Sequence, residues 1–168
     1  GKLKGFNTDY LGVLDALESF DLKAKTALII GAGGVARALS VALKDKEMNV
    51  FISNRNADKA KELAKKFDLN FLELSRIDEI KGELLVNATS VGMRDLSSSI
   101  VEEKIVANFD VVKDVVIYPA ETKLLKIAKE LGKKIIPGTT MCLGQAAAQF
   151  KIYTGKEVPE EVLEETLK

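Results

Sequence analysis

Gly31, Gly33 and Ala36 fall at the spacing G-x-G-x-x-A inside the run Thr26-Ala-Leu-Ile-Ile-Gly-Ala-Gly-Gly-Val-Ala-Arg37, directly behind an apolar stretch. A buried strand that runs into a glycine turn and then into a helix is where a dinucleotide pyrophosphate sits. Gly31 permits the tight turn. Gly33 lets the backbone approach phosphates with no Cβ in the way, and Ala36 stands where a small residue must pack against the strand. Ala32, Gly34 and Val35 complete the turn, and the free N–H groups of the new helix face the anion.

The tip of the next strand, Ser53-Asn54-Arg55, with Lys59 one turn into the following helix, bears on which dinucleotide binds. An acid roughly 20 residues beyond the glycines accepts from a ribose 2′-hydroxyl, whereas a 2′-phosphate calls for cations. No carboxylate stands at this tip. The planar guanidinium of Arg55 can donate to phosphate oxygens and lie against adenine, which suits NADP.

Composition excludes other chemistries. The 168 residues suffice for one domain with a sizeable core, and 25 basic residues balance 25 acidic ones, so no global field favours nucleic acid. No apolar run reaches the roughly 18 residues of a membrane span and no signal peptide opens the chain, so a cytoplasmic location is expected. With no histidine there is neither a Ser-His-Asp triad nor a histidine-built metal site, and the single Cys142 forms no internal disulfide.

Strand-like runs near 26–30, 49–53, 70–73, 83–87, 111–117 and 134–136 alternate with helix-like stretches at 34–46, 57–67, 75–80, 121–131 and 140–153. That alternation predicts an α/β fold with a doubly wound, mostly parallel, Rossmann-like sheet. Flanking helices are expected at Tyr10–Phe20, capped by Thr8 or Asp9, and at Pro159–Leu167. The loop Asp95–Ser99, with its consecutive serines, reads as flexible.

Taken in order, Gly5-Phe6-Asn7-Thr8-Asp9, the glycine turn, Asn87-Ala88-Thr89-Ser90-Val91-Gly92-Met93, Pro119-x-x-Thr122-x-Leu124-Leu125 and Met141-x-x-x-Gln145 ahead of Phe150 form a series. This series resembles the C-terminal, nucleotide-binding half of shikimate dehydrogenase, over Gly5 to Gly155. The resemblance implies that Asp9 is the catalytic carboxylate, working with a lysine on the substrate hydroxyl. It implies that Asn7, Thr8, Asp9 and Gln145 meet the substrate. It also implies that Asn54, Arg55 and Lys59 clamp the 2′-phosphate, and that Asn87, Thr89 and Met141 lie beside the cofactor. The implied reaction is reversible hydride transfer between NADPH and 3-dehydroshikimate, giving shikimate.

The family's N-terminal substrate domain, which carries that lysine, does not match anything in these 168 residues. The chain is therefore expected to be an isolated domain, inactive by itself and prone to self-association through the apolar helix at 140–153. Ile117 and Tyr118 stand where the family usually has tyrosine at the first of the two positions, and Thr140 replaces a glycine before Met141. A non-catalytic NADP-binding module and a quinate/shikimate dehydrogenase relative remain open as alternatives.

Overall fold

The apolar run Thr26–Ile30 forms β1 at the centre of the molecule, buried from Ala27 onward. Its neighbours are β2 (Asn49–Ser53) and β4 (Gly82–Asn87), both parallel to it. β3 (Asn70–Phe71) extends the β2 edge, and β5 (Phe109–Asp114) and β6 (Lys134–Ile136) extend the other. The computed structural model describes residues 1–22, 25–159, 161–162 and 165, and within it the order β3-β2-β1-β4-β5-β6 makes one wholly parallel sheet. Parallel strands need covered faces, which is why they read as nearly continuous Val, Ile and Leu.

Two apolar layers cover the sheet. One face receives α1 (Thr8–Ala16), α2 (Gly34–Asp45), α3 (Ala57–Phe67) and α6 (Gly138–Thr154), through Val13, Leu39, Leu63 and Met141. The other receives a 3-10 helix (Leu74–Glu79), α4 (Glu103–Val106) and α5 (Lys123–Glu130), through Ile77, Ile105 and Leu124. In α2 the buried positions Ala36, Leu39, Ser40 and Leu43 follow the i, i+3, i+4, i+7 stripe of a half-buried helix. Ser40 is satisfied there by donating to the Ala36 carbonyl at 2.7 Å.

Several elements differ from the sequence expectation. α1 starts at Thr8 because Asn7, not Thr8 or Asp9, is the N-cap, its Oδ1 accepting from the Tyr10 N–H at 3.2 Å. The stretch expected as helix at 75–80 is 3-10, and β5 runs two residues earlier and ends at Asp114 rather than 117. α4 was not anticipated, being a single turn. The helix expected at 159–167 falls largely outside the described residues. The serine loop is tied to Asp95, whose Oδ1 accepts from the Ser97 N–H at 3.0 Å and hydroxyl at 2.6 Å and whose Oδ2 accepts from the Ser98 hydroxyl. Among the described residues no helix is long and apolar enough to cross a membrane.

α1 and α6 approach closely through two glycines. A Cβ on Gly12 would lie 2.5 Å from the Met141 carbonyl and 2.8 Å from the Gln145 nitrogen, and one on Gly144 would lie 3.1 Å from the Gly12 Cα. This contact sets α1 beside α6 at the carboxyl edge of the sheet.

Candidate functional site

The strand order reverses direction between β1 and β4, and the crevice at their carboxyl ends is the place where open α/β sheets bind ligands. Gly31 occupies that point with φ +128°, and a Cβ there would meet the Ala88 carbonyl at 2.6 Å. Both facts demand glycine. Gly33 and Gly34 are different: a Cβ on either meets nothing within 4 Å, so their side of the turn is open. Gly33 is also the N-cap of α2 and supplies no side-chain hydrogen bond, whereas Asn7, Asn56 and Thr122 cap α1, α3 and α5. The orphan N–H groups of α2 thus face an open surface. These residues fit a dinucleotide pyrophosphate.

Beyond β2, the Asn54 amide donates to the Asn56 carbonyl at 3.0 Å, and Asn56 Oδ1 accepts from the Lys59 N–H at 3.1 Å. Asn54 therefore shapes the turn that presents Arg55, which is exposed. Lys59 lines a cleft of about 160 Å³ with Ala32, Arg37, Glu62, Leu63 and Lys66. The strand tip carries no carboxylate, but α3 brings Glu62 round one turn after Lys59 into the same cleft. Arg37 and Lys66 were likewise not anticipated; the signal was their helical spacing, legible only once α2 and α3 are known to pack side by side.

Beyond β4, Asn87 is 0 % exposed. Its Nδ2 donates to the Val91 carbonyl at 3.1 Å and to Asp114 Oδ1 at 3.0 Å, and its Oδ1 accepts from the Thr89 N–H at 3.1 Å and hydroxyl at 2.6 Å. Every hydrogen-bonding position of that carboxamide is filled. Asn87 therefore acts by folding the loop after β4, not by reaching a ligand with its side chain. Thr89 Oγ1 serves the same loop, accepting from the Val91 N–H at 3.1 Å.

Asp114, to which no sequence motif points, anchors this network. It also accepts from the Val116 N–H at 3.0 Å and the Thr122 hydroxyl at 2.7 Å. Burial pushes its carboxyl up from the usual value, against the pull of those donors and of Lys113. Lys113 is fully buried and its Nζ has no hydrogen-bond partner among the described residues; desolvation lowers its pKa to about 8 despite the neighbouring carboxylate.

On the α1–α6 side, Asp9, Val35, Met141 and Gln145 line a second cleft of about 160 Å³ together with Val115 and Ile117. The sequence-predicted Asp9 and Gln145, 136 positions apart, meet there because Gly12 and Gly144 let their helices touch. Asn7 Oδ1 is taken up by its cap. Thr8 Oγ1 accepts from Gln149 Nε2 at 3.2 Å, and the same Nε2 donates to Gln145 Oε1 at 2.6 Å. Gln149, unanticipated, thus turns Gln145 so that its own Nε2 is left to donate.

The family model described as "Shikimate / quinate 5-dehydrogenase" matches residues 15–116, more than half of the chain. The chain belongs to the shikimate/quinate dehydrogenase family. A second model, "Shikimate 5'-dehydrogenase C-terminal domain", matches residues 138–168. The chain is 40 % identical over 170 residues to the shikimate dehydrogenase (NADP(+)) of Aquifex aeolicus, spanning all of this chain and 62 % of that protein. It superposes with TM-score 0.85 at 36 % identity on shikimate 5-dehydrogenase from Thermus thermophilus in complex with NADP(H) and shikimate, covering 96 % of this chain and 62 % of that one. It also superposes with TM-score 0.88 at 28 % identity on quinate dehydrogenase from Corynebacterium glutamicum in complex with NAD, covering 97 % and 62 %. The chain therefore spans about three fifths of the length of these relatives.

Proposed function

We propose that this chain is the NADP-binding half of a shikimate dehydrogenase, an oxidoreductase that interconverts 3-dehydroshikimate and shikimate in aromatic amino-acid biosynthesis. The observation that carries the reading is the meeting of Asp9 and Gln145 in one cleft, next to Val35 of the glycine turn. When bound, NADPH supplies the hydride. The protein's part is orientation and proton handling. The α2 N-terminus and its open glycines hold the pyrophosphate, and Met141 and Val35 give the cleft an apolar wall. The Asp9 carboxylate holds the proton of the reacting hydroxyl, and Gln145 Nε2 donates to a neighbouring oxygen.

Among the described residues the cleft is lined by one carboxylate, one carboxamide and the Cys142 thiol, and by no cation. A substrate domain carrying a lysine is the proposed complement. The exposed Phe150, Ile152 and Tyr153 at the end of α6 support docking of that domain and, in the 168-residue chain, self-association.

Calorimetric titration with NADPH and NADH tests the cofactor assignment. NADPH is expected to bind more tightly, and Arg55→Ala to weaken NADPH selectively by roughly 10- to 100-fold, the loss of one charge-assisted contact. Equal affinity for both cofactors in the wild-type chain would overturn the assignment.

A further inference from the structure

Arg37, Lys59, Glu62 and Lys66 converge on one cleft whose apolar floor is Ala32 and Leu63. Lys59, Glu62 and Lys66 are spaced three and then four apart on α3, which puts them on one helical face, and Arg37 faces them from the first turn of α2. Among the described residues neither Arg37, Lys59 nor Glu62 forms an ion pair, and the Lys66 ammonium lies 5.7 Å from the Phe67 ring centroid. Cations gathered round one cavity raise its potential and favour an anion. Ala32 belongs to the glycine turn and Lys59 to the clamp expected for a 2′-phosphate, so a dinucleotide held at the turn would bring its adenosine 2′ position near this cleft.

The carboxylate among these cations has two opposite effects on that 2′ position. It repels a phosphate dianion and offsets part of the attraction of its neighbours. It would also accept from a free 2′-hydroxyl, as the acid of an NAD-binding site does. We propose that Glu62 sets the cofactor preference of this chain, moderating a phosphate grip made by Arg37 and Lys66 as well as by Lys59. The inference rests on the NADP reading above.

The test is calorimetry with NADP⁺ and NAD⁺ on the wild-type chain and on Glu62→Gln, Arg37→Met, Lys66→Met and, as reference, Arg55→Ala. All of these side chains are exposed, so the variants are expected to fold. Glu62→Gln is expected to bind NADP⁺ roughly 3- to 10-fold more tightly, the scale of a partly exposed charge acting on a dianion, and NAD⁺ less tightly. Arg37→Met and Lys66→Met each weaken NADP⁺ at least about 3-fold and leave NAD⁺ unchanged. An unchanged NADP⁺ to NAD⁺ ratio in Glu62→Gln overturns the role of Glu62, and silence of both cation variants overturns the cleft as the phosphate site. If Arg55→Ala is selective for NADP⁺ while the others are silent, only this inference falls; if Arg55→Ala is silent too, the NADP assignment falls with it.

Discussion

The Asn87 amide donates to Asp114 Oδ1 across 3.0 Å, joining the carboxyl ends of β4 and β5 under the loop that follows β4. The same carboxylate holds the Thr122 hydroxyl, which caps α5. One buried acid therefore ties together two strand ends, a loop and a helix start.

Replacing that acid separates shape from charge. Asp114→Ala leaves the Asn87 amide, the Val116 N–H and the Thr122 hydroxyl without their acceptor, at about 1–3 kcal/mol for each buried group left unpaired. Asp114→Asn retains one acceptor and is expected to cost clearly less. Urea unfolding of the two variants checks the order; an alanine variant as stable as the asparagine one would refute the network.

Lys113 makes stability depend on pH in the alkaline range. Register places it opposite Val86 of β4 and Ile136 of β6, in the apolar layer beneath α1 and α6. Its folded pKa, about 8, lies below the ordinary 10.5, so between these values the unfolded chain binds more protons and stability rises with pH. Below pH 8 the full cost of charging the buried amine applies, about 3 kcal/mol at roughly 1.36 kcal/mol per unit. Lys113→Met should be more stable than wild type at pH 7 and should lose the rise between pH 8 and 10.5. Thermal melts of both proteins across that range measure it, and an identical slope in the variant counts against the assignment.

Gly12→Ala is expected to push α1 off α6. The new methyl would meet the main-chain atoms of Met141 and Gln145, which cannot step aside as a flexible side chain could. Overpacking of this kind costs about 1–3 kcal/mol. NADPH binding at the glycine turn, built on β1 and α2, should survive. The decisive comparison is stability against cofactor affinity: losing both equally would mean that the α1–α6 pair supports the whole domain.

The 168-residue chain is expected to bind NADPH without turning over shikimate at an enzymatic rate. Among the described residues Asp9 has no cationic partner in its cleft, and a positioned proton donor or acceptor contributes about 10²–10⁴-fold. NADPH formation from shikimate and NADP⁺ is the assay, repeated with a substrate domain supplied separately. Activity only on complementation, abolished by Asp9→Asn with cofactor binding intact, is the expected pattern. Robust activity of the chain alone would remove the need for a partner lysine.

Local rules made much of this molecule legible in the sequence. Glycine spacing marks the turn because only glycine tolerates φ +128° against the Ala88 carbonyl, and the buried parallel strands announce themselves as Val, Ile and Leu runs because both of their faces are covered. The Asn7-Thr8-Asp9 and Met141-x-x-x-Gln145 segments are recognisable as parts of a family series, and Asp9 and Gln145 do meet.

Tertiary structure alone decided the rest, since those features depend on contacts between positions far apart in the chain. Whether Asn87 faces a ligand or the interior is set by Asp114, 27 residues on, which together with Thr89 and Val91 fills its carboxamide. The orientation of Gln145 is set by Gln149 and by Thr8 at the other end of the chain. The company that Lys59 keeps is set by the packing of α2 beside α3, which brings Arg37 and Glu62 into one cleft. Periodicity can say which face of each helix is polar, but only the approach of two helices determines which charges share a space.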